Sequence, residues 1–169
     1  MAIPVEPSPR EALGSPDALA ELYRRFGPGL FRLAYRLTGT KEDAEDVVHD
    51  VFVGLPETLE RYEERGRLEA WLRRVTARVA LMRLRTGRRR PAMRLENVEV
   101  PATSREPHID LQAAVDALPT KLRSVLVLKE IEGYSHTEIA HMLGISAVTS
   151  RVRLLRAMAR LRRILKGTG

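Results

Sequence analysis

Asp43, Asp46 and Asp50 cluster carboxylates over a short stretch, and Asp46 and Asp50 stand one helical turn apart, on one face of any helix that carries them. Such a pair could bridge a hard divalent cation. No histidine or further carboxylate at a suitable spacing completes a coordination sphere. His136 and His141 are five residues apart, which does not give the one-face pair of a helical zinc site. The chain has no cysteine, which removes disulfides, thiolate nucleophiles and cysteine-bound zinc. It also has no phosphate-binding glycine loop and no nucleophile motif. An enzyme is therefore not expected, and neither is a metal or a cofactor.

The chemistry that remains is recognition. Between Glu42 and Glu60 every fully charged residue is acidic, whereas between Arg73 and Arg94 every charged residue is arginine. Arginines exposed at Arg74, Arg78 and Arg85 would suit a nucleic-acid backbone. The acidic run would repel DNA and suits a basic protein surface. The bland alternative is that the two runs are solvated helix faces locked in mutual salt bridges. A third cluster lies at Ser135–Arg156. Ser135 and Glu138 have capping-box spacing, Ile139, Ala140 and Leu143 follow, Gly144 offers a left-handed turn, and Ser146 can cap a second helix. This is the form of a helix-turn-helix. With Val148, Val152, Leu155 and Ala159 taken as the inward stripe, Ser146, Thr149, Ser150 and Arg153 project outward. Arg151 and Arg156 then flank them, where phosphates would lie. No acidic residue follows Glu138, so the last helix is a positive surface throughout.

Helices must position these groups. Leu19, Leu22, Tyr23 and Phe26 form one stripe, which Gly27 is expected to break, with Pro28 opening a second helix through Leu30, Leu33, Ala34 and Leu37. Thr40 is a plausible N-cap for the acidic helix, whose apolar positions are Ala44, Val47, Val48, Val51, Phe52 and Leu55. Pro56 ends or kinks it. A further helix buries Leu68, Trp71, Leu72, Val75, Val79 and Met82. Trp71 is core by default; a base-stacking role requires its edge to open onto the preceding loop. Leu111–Leu118 and Leu122–Leu126 supply two more short helices, and no strand pattern appears. The expected fold is all-α: a disordered tail over residues 1–16, a helical domain over 17–85, a linker over 86–109 and a second domain over 110–169. A linker of that length has an r.m.s. reach of roughly 25–30 Å and a limit of about 80 Å when stretched.

Composition agrees. The formal net charge is +7 and nearly all the positive charge is arginine, which pairs with phosphate and guanine through its fork. Neither a signal peptide nor a membrane span is legible, so direct membrane insertion is not expected and a cytoplasmic location is.

Asp43-Ala44-Glu45-Asp46-Val47-Val48-His49-Asp50-Val51-Phe52 resembles the polymerase-binding helix of sigma factors. Trp71-Leu72-Arg73-Arg74-Val75-Thr76-Ala77-Arg78, followed by Arg83-Leu84-Arg85, is similar to the helix after their promoter-melting loop. Leu118-Pro119, Glu138-Ile139-Ala140, Leu143-Gly144-Ile145-Ser146 and Arg153-Leu154-Leu155-Arg156-Ala157 resemble their fourth domain. With only these two domains, the chain looks like a sigma-70 family member of the extracytoplasmic-function (ECF) group.

That resemblance implies a role in promoter-specific initiation. Asp43, Asp46, His49, Asp50 and Phe52 would contact the clamp of the polymerase beta-prime subunit. Arg61, Tyr62, Arg65, Arg67, Trp71, Arg74 and Arg78 would hold the melted −10 element. Ser146, Thr149, Ser150, Arg151, Arg153 and Arg156 would read the −35 duplex, and the linker would thread toward the RNA exit, with the beta subunit also a partner. An anti-sigma factor would mask these surfaces and could hold the chain at the inner membrane face. The competing reading is a stand-alone helix-turn-helix regulator, which leaves the acidic and arginine-rich helices unexplained. The sequence departs from the family at His49 (often Gln), Pro56 (often Trp), Val79 (often Asn) and Met82 (often Asp), and Ala147–Val152 replaces a common Gly-Thr-Val-Lys-Ser.

Overall fold

A computed structural model describes residues 15–62, 67–87 and 111–167. Most of the expected tail, most of the linker and the loop residue Arg65 lie outside the described residues; of the tail, Pro16 already belongs to α1. Among those described there are helices and turns and no strand. The chain divides into two compact units, Met1–Arg83 and Leu84–Gly169.

The first unit is built on α1 (Pro16–Thr38), α2 (Lys41–Val53), α3 (Leu55–Leu59) and α4 (Leu68–Gly87), the last of which runs past the unit's end. Gly27 does not break α1, and Pro28 lies inside it. The expected two helices are one, because the stripes on either side are in phase: Leu22, Phe26, Leu30, Leu33 and Leu37 recur at three- and four-residue steps. An interior proline costs about 3 kcal/mol. Continuous burial of Leu30, Leu33, Ala34 and Leu37, all at 1% exposure or less, offsets that cost. Gly39 then ends the helix in the left-handed region (φ 84°), its N–H donating to the Tyr35 carbonyl.

α1 packs on α2, whose stripe Ala44, Val47, Val48, Val51 and Phe52 is buried as its spacing predicts, while Leu55, expected on the same helix, is buried at the start of α3. Gly54 ends α2, and Pro56 falls in the first turn of α3, where its missing N–H costs nothing. α4 turns differently from its expected stripe. Leu72, Thr76, Ala77, Ala80 and Leu81 are buried, Trp71, Val75 and Val79 are half-buried, and Met82 is exposed. Thr76 satisfies its buried hydroxyl by donating to the Leu72 carbonyl at 2.8 Å.

The second unit contains α5 (Leu111–Asp116), α6 (Thr120–Leu126), α7 (His136–Leu143) and α8 (Ala147–Gly167). α6 widens into a π-helical turn at Val127–Ile131, which no sequence signal announced, and the Glu132 N–H donates to the Val127 carbonyl at 3.0 Å. The core gathers Ala114, Val115, Leu118, Leu126, Ala157 and Leu161. Leu122, Leu154, Met158, Ile164 and Leu165 pack around it.

Candidate polymerase and nucleic-acid interfaces

The acidic helix starts where its cap predicts. Thr40 Oγ1 accepts from the Asp43 N–H at 3.2 Å and donates to the Asp43 carboxylate at 2.9 Å. Arg83 of α4 then clasps two carboxylates of α2: its Nε donates to Asp43 at 2.9 Å and an Nη to Asp46 at 2.5 Å. The Asp43 hydrogen bond, and then the charges of Asp46, Asp43 and Asp50, raise the Arg83 pKa above its ordinary value against the opposing effect of burial. Mutual salt bridging therefore accounts for part of the opposite-sign pattern. Glu42, Glu45, His49 and Asp50 remain on the exposed side, with Lys41 pairing Glu45 at 3.7 Å.

Phe52 is not on that surface. It is buried, and its ring meets Tyr23 edge to face at 5.0 Å between centroids. The expectation that Phe52 contacts a partner is corrected on this ground. Its neighbour Val53, 66% exposed, is the apolar group that α2 presents.

On α4, Arg74, Arg78 and Arg85 are exposed. Arg61 and Arg67 are exposed on either side of the loop. Tyr62 is buried, its ring 5.2 Å from that of half-buried Trp71. Tyr62 thus packs against Trp71 and does not offer a free face to a base, which corrects its assignment to the DNA-contacting set.

The helix-turn-helix forms as its caps predict. The Glu138 N–H donates to Ser135 Oγ at 3.1 Å, and the Ser135 N–H donates to the Glu138 carboxylate at 2.8 Å. Gly144 takes the left-handed conformation (φ 64°). Ser146 Oγ accepts from the Thr149 N–H at 3.0 Å and lies 2.9 Å from the Thr149 hydroxyl.

The rotation of α8 differs from expectation. Ser150 is fully buried, its hydroxyl 2.9 Å from His136 Nδ1, and cannot reach a base edge. Val148, Val152 and Leu155 are exposed by 65%, 38% and 71%, and Ala159 is exposed too. The buried stripe runs two positions later, through Ser150, Ala157 and Leu161 with Leu154 and Met158, which is about 200° around the helix. The outward face of the recognition helix is therefore Val148, Arg151, Val152, Leu155 and Arg156. Ser146 is exposed at its N-terminus, while Thr149 and Arg153 are half-buried on its flank. Among the described residues no group of three or more histidines, aspartates or glutamates could hold a metal, and no helix is long and apolar enough to cross a membrane.

A helical unit with an acidic face beside arginines, joined in one chain to a cationic helix-turn-helix, defines a DNA-binding protein that also presents a surface unsuited to DNA. Residues 22–90 match Sigma-70 region 2, and residues 108–161 match Sigma-70 region 4. The chain is 38% identical over 153 residues to the ECF RNA polymerase sigma factor SigE of Mycolicibacterium smegmatis, covering 84% of this chain and 59% of that protein. It is 33% identical over 156 residues to the ECF RNA polymerase sigma factor SigM of Mycobacterium tuberculosis, covering 90% and 79%. In structure it is similar to the sigma factor RpoE bound to the anti-sigma factor NepR from Bartonella quintana (TM-score 0.63, 25% identity, 90% of this chain and 98% of that one). It is also similar to CnrH in complex with the cytosolic domain of CnrY (TM-score 0.57, 30% identity, 95% and 96%). The chain belongs to the sigma-70 family, in its ECF group.

Proposed function

We propose that this protein binds core RNA polymerase and directs it to a specific class of promoters. The observation that carries this reading is the presence, in one chain and in order, of a region 2 unit with an exposed acidic helix and a region 4 unit with a cationic helix-turn-helix. A stand-alone regulator leaves residues 22–90 without a role.

In this reading α2 docks on the beta-prime clamp through Asp43, Asp46, His49 and Asp50, with exposed Val53 as the apolar contact. Arg61, Arg67, Arg74 and Arg78, beside Trp71, hold the melted −10 strand by phosphate contacts and stacking. Arg151, Arg153 and Arg156, with Ser146 and Thr149, hold the −35 duplex. The functional domains are taken as 17–85 and 110–169, with 86–109 spanning between sites on the polymerase. The similar sigma factor RpoE bound to the anti-sigma factor NepR supports control by such a partner, which would keep a cytoplasmic chain away from polymerase, at the inner membrane face where that partner is membrane-bound. The protein's role is one of binding and positioning; the polymerase supplies the chemistry.

In vitro transcription from a promoter library with matched core enzyme tests this. Specific start sites that require the added chain are expected. Unchanged core activity would defeat the proposal, and so would an effect seen only when another sigma factor is supplied.

A further inference from the structure

We infer that the recognition helix finds its site through thymine methyl groups, read by the aliphatic stripe Val148–Val152–Leu155. The inference rests on the proposed −35 role of α8 and adds the chemical feature that is read. The three residues recur at steps of four and three, so they share one face; Val148 and Leu155 are among the most exposed large apolar side chains described, and Val152 between them is 38% exposed. Val148 and Leu155 face solvent in the first half of α8, away from the core that Ala157 and Leu161 build, and Val152 between them is partly exposed. Arg151 and Arg156 flank it, and no acidic residue lies anywhere between Ile139 and Gly169. The surrounding field therefore selects an anionic occupant, and a helix of this width fits the DNA major groove.

Within that groove a valine or leucine can neither donate nor accept a hydrogen bond. The base-edge feature it matches is the C5-methyl of thymine, which it desolvates on contact. Ser150, the hydroxyl that would have offered donor and acceptor reading, is turned into the unit and engaged with His136. The stripe thus divides the work: arginines hold phosphates and guanine edges, while the aliphatic groups discriminate thymine from the bases that lack its methyl.

Replacement of thymine by deoxyuridine deletes that methyl and leaves every hydrogen-bonding group in place. Holoenzyme assembled from the full chain and core polymerase would first select −35 sequences from a randomised promoter library. Each thymine of the selected element, on either strand, would then be replaced singly by deoxyuridine and holoenzyme affinity measured. A loss of about fourfold is expected at each contacted thymine, the value of one buried methyl, with none at thymines outside the element. V148A, V152A and L155A should each shrink the thymine–uracil ratio at one position. R156A should weaken both duplexes alike and preserve the ratio. Equal affinity for thymine and uracil throughout, or a selected element with no thymine on either strand, overturns the inference while leaving the sigma-factor reading intact. Failure to select any sequence, with core polymerase active on unspecific templates, overturns that reading and this one together.

Discussion

His136, the first residue of α7, and Ser150, in the first turn of α8, are joined by a 2.9 Å hydrogen bond between Nδ1 and Oγ. The contact links the two helices of the DNA-binding motif and lies on the inward side of the second. Because Ser150 faces inward, the residues two positions before and after it face outward.

Ser150→Ala should lower the stability of the second unit by about 1 kcal/mol, the net value of one hydrogen bond, without altering base preference. The same contact predicts a pH dependence. Burial first, then the charges of Lys129 and Arg151 against the opposing Glu130, lowers the His136 pKa below its ordinary value. The unfolded chain therefore binds the proton more readily. Stability is full above the unfolded pKa of about 6.5 and is lost as pH falls through the lower folded value. Denaturant melts from about pH 8 to 5, followed by circular dichroism, should show this loss in the native chain and a flatter profile in His136→Gln.

Phe52 and Val53 should separate folding from binding. Phe52→Ala empties a core position that Tyr23 packs against, and a loss of about 3–5 kcal/mol in the first unit is expected. Val53→Glu, at an exposed position, should leave the melting curve within about 0.5 kcal/mol of the native chain and weaken core polymerase binding. Native-like affinity in Val53→Glu would remove that position from the interface.

Much of this is legible in the sequence, and the departures of the structure from it share a cause. Capping signals act locally: Thr40, Ser135 with Glu138, Gly144 and Ser146 each do what their side chain or backbone freedom dictates. Rotation about a helix axis is set by distant partners. The expected phase of α8 rests on Val148 in its first turn, whereas the longer run Leu154, Ala157, Met158, Leu161, Ile164 and Leu165 carries the packing. Followed to its end, that run would have turned Ser150 inward. Similarly, the continuous phase from Leu22 to Leu37 outweighs Gly27 and Pro28 as a local stop signal. Resemblance places Phe52 and Tyr62 at partner surfaces, whereas their rings pack inward beside Tyr23 and Trp71 and are buried.

Asp46→Arg combined with Asp50→Arg should abolish core binding, with a loss on the order of 100-fold or more from like-charge contact with a basic clamp. The first change also sets an arginine against Arg83, so folding must be checked by circular dichroism. Arg83→Ala is the informative companion. The Arg83 ion pairs are half-exposed, at 36% for Arg83 against 42% and 57% for Asp43 and Asp46, so their removal should cost under about 1 kcal/mol. It also releases both carboxylates, so core affinity should hold or rise. Native affinity in the double reversal would show that α2 is not the docking surface.

Arg151 and Arg153 should differ in how salt reveals their loss. Arg151 is exposed on the outward face of α8, whereas Arg153 is half-buried on its flank. If Arg151 neutralises a phosphate, Arg151→Ala weakens holoenzyme binding across promoter sequences and reduces the log–log salt slope by about 1. Arg153→Ala would leave that slope unchanged and cost roughly 1–3 kcal/mol of −35 discrimination only if its fork reaches a guanine edge. Titrating both variants against the selected element and a scrambled one, at several salt concentrations, separates the two roles. An unchanged slope in Arg151→Ala would move the phosphate contact to Arg156, the other exposed arginine beside the aliphatic stripe.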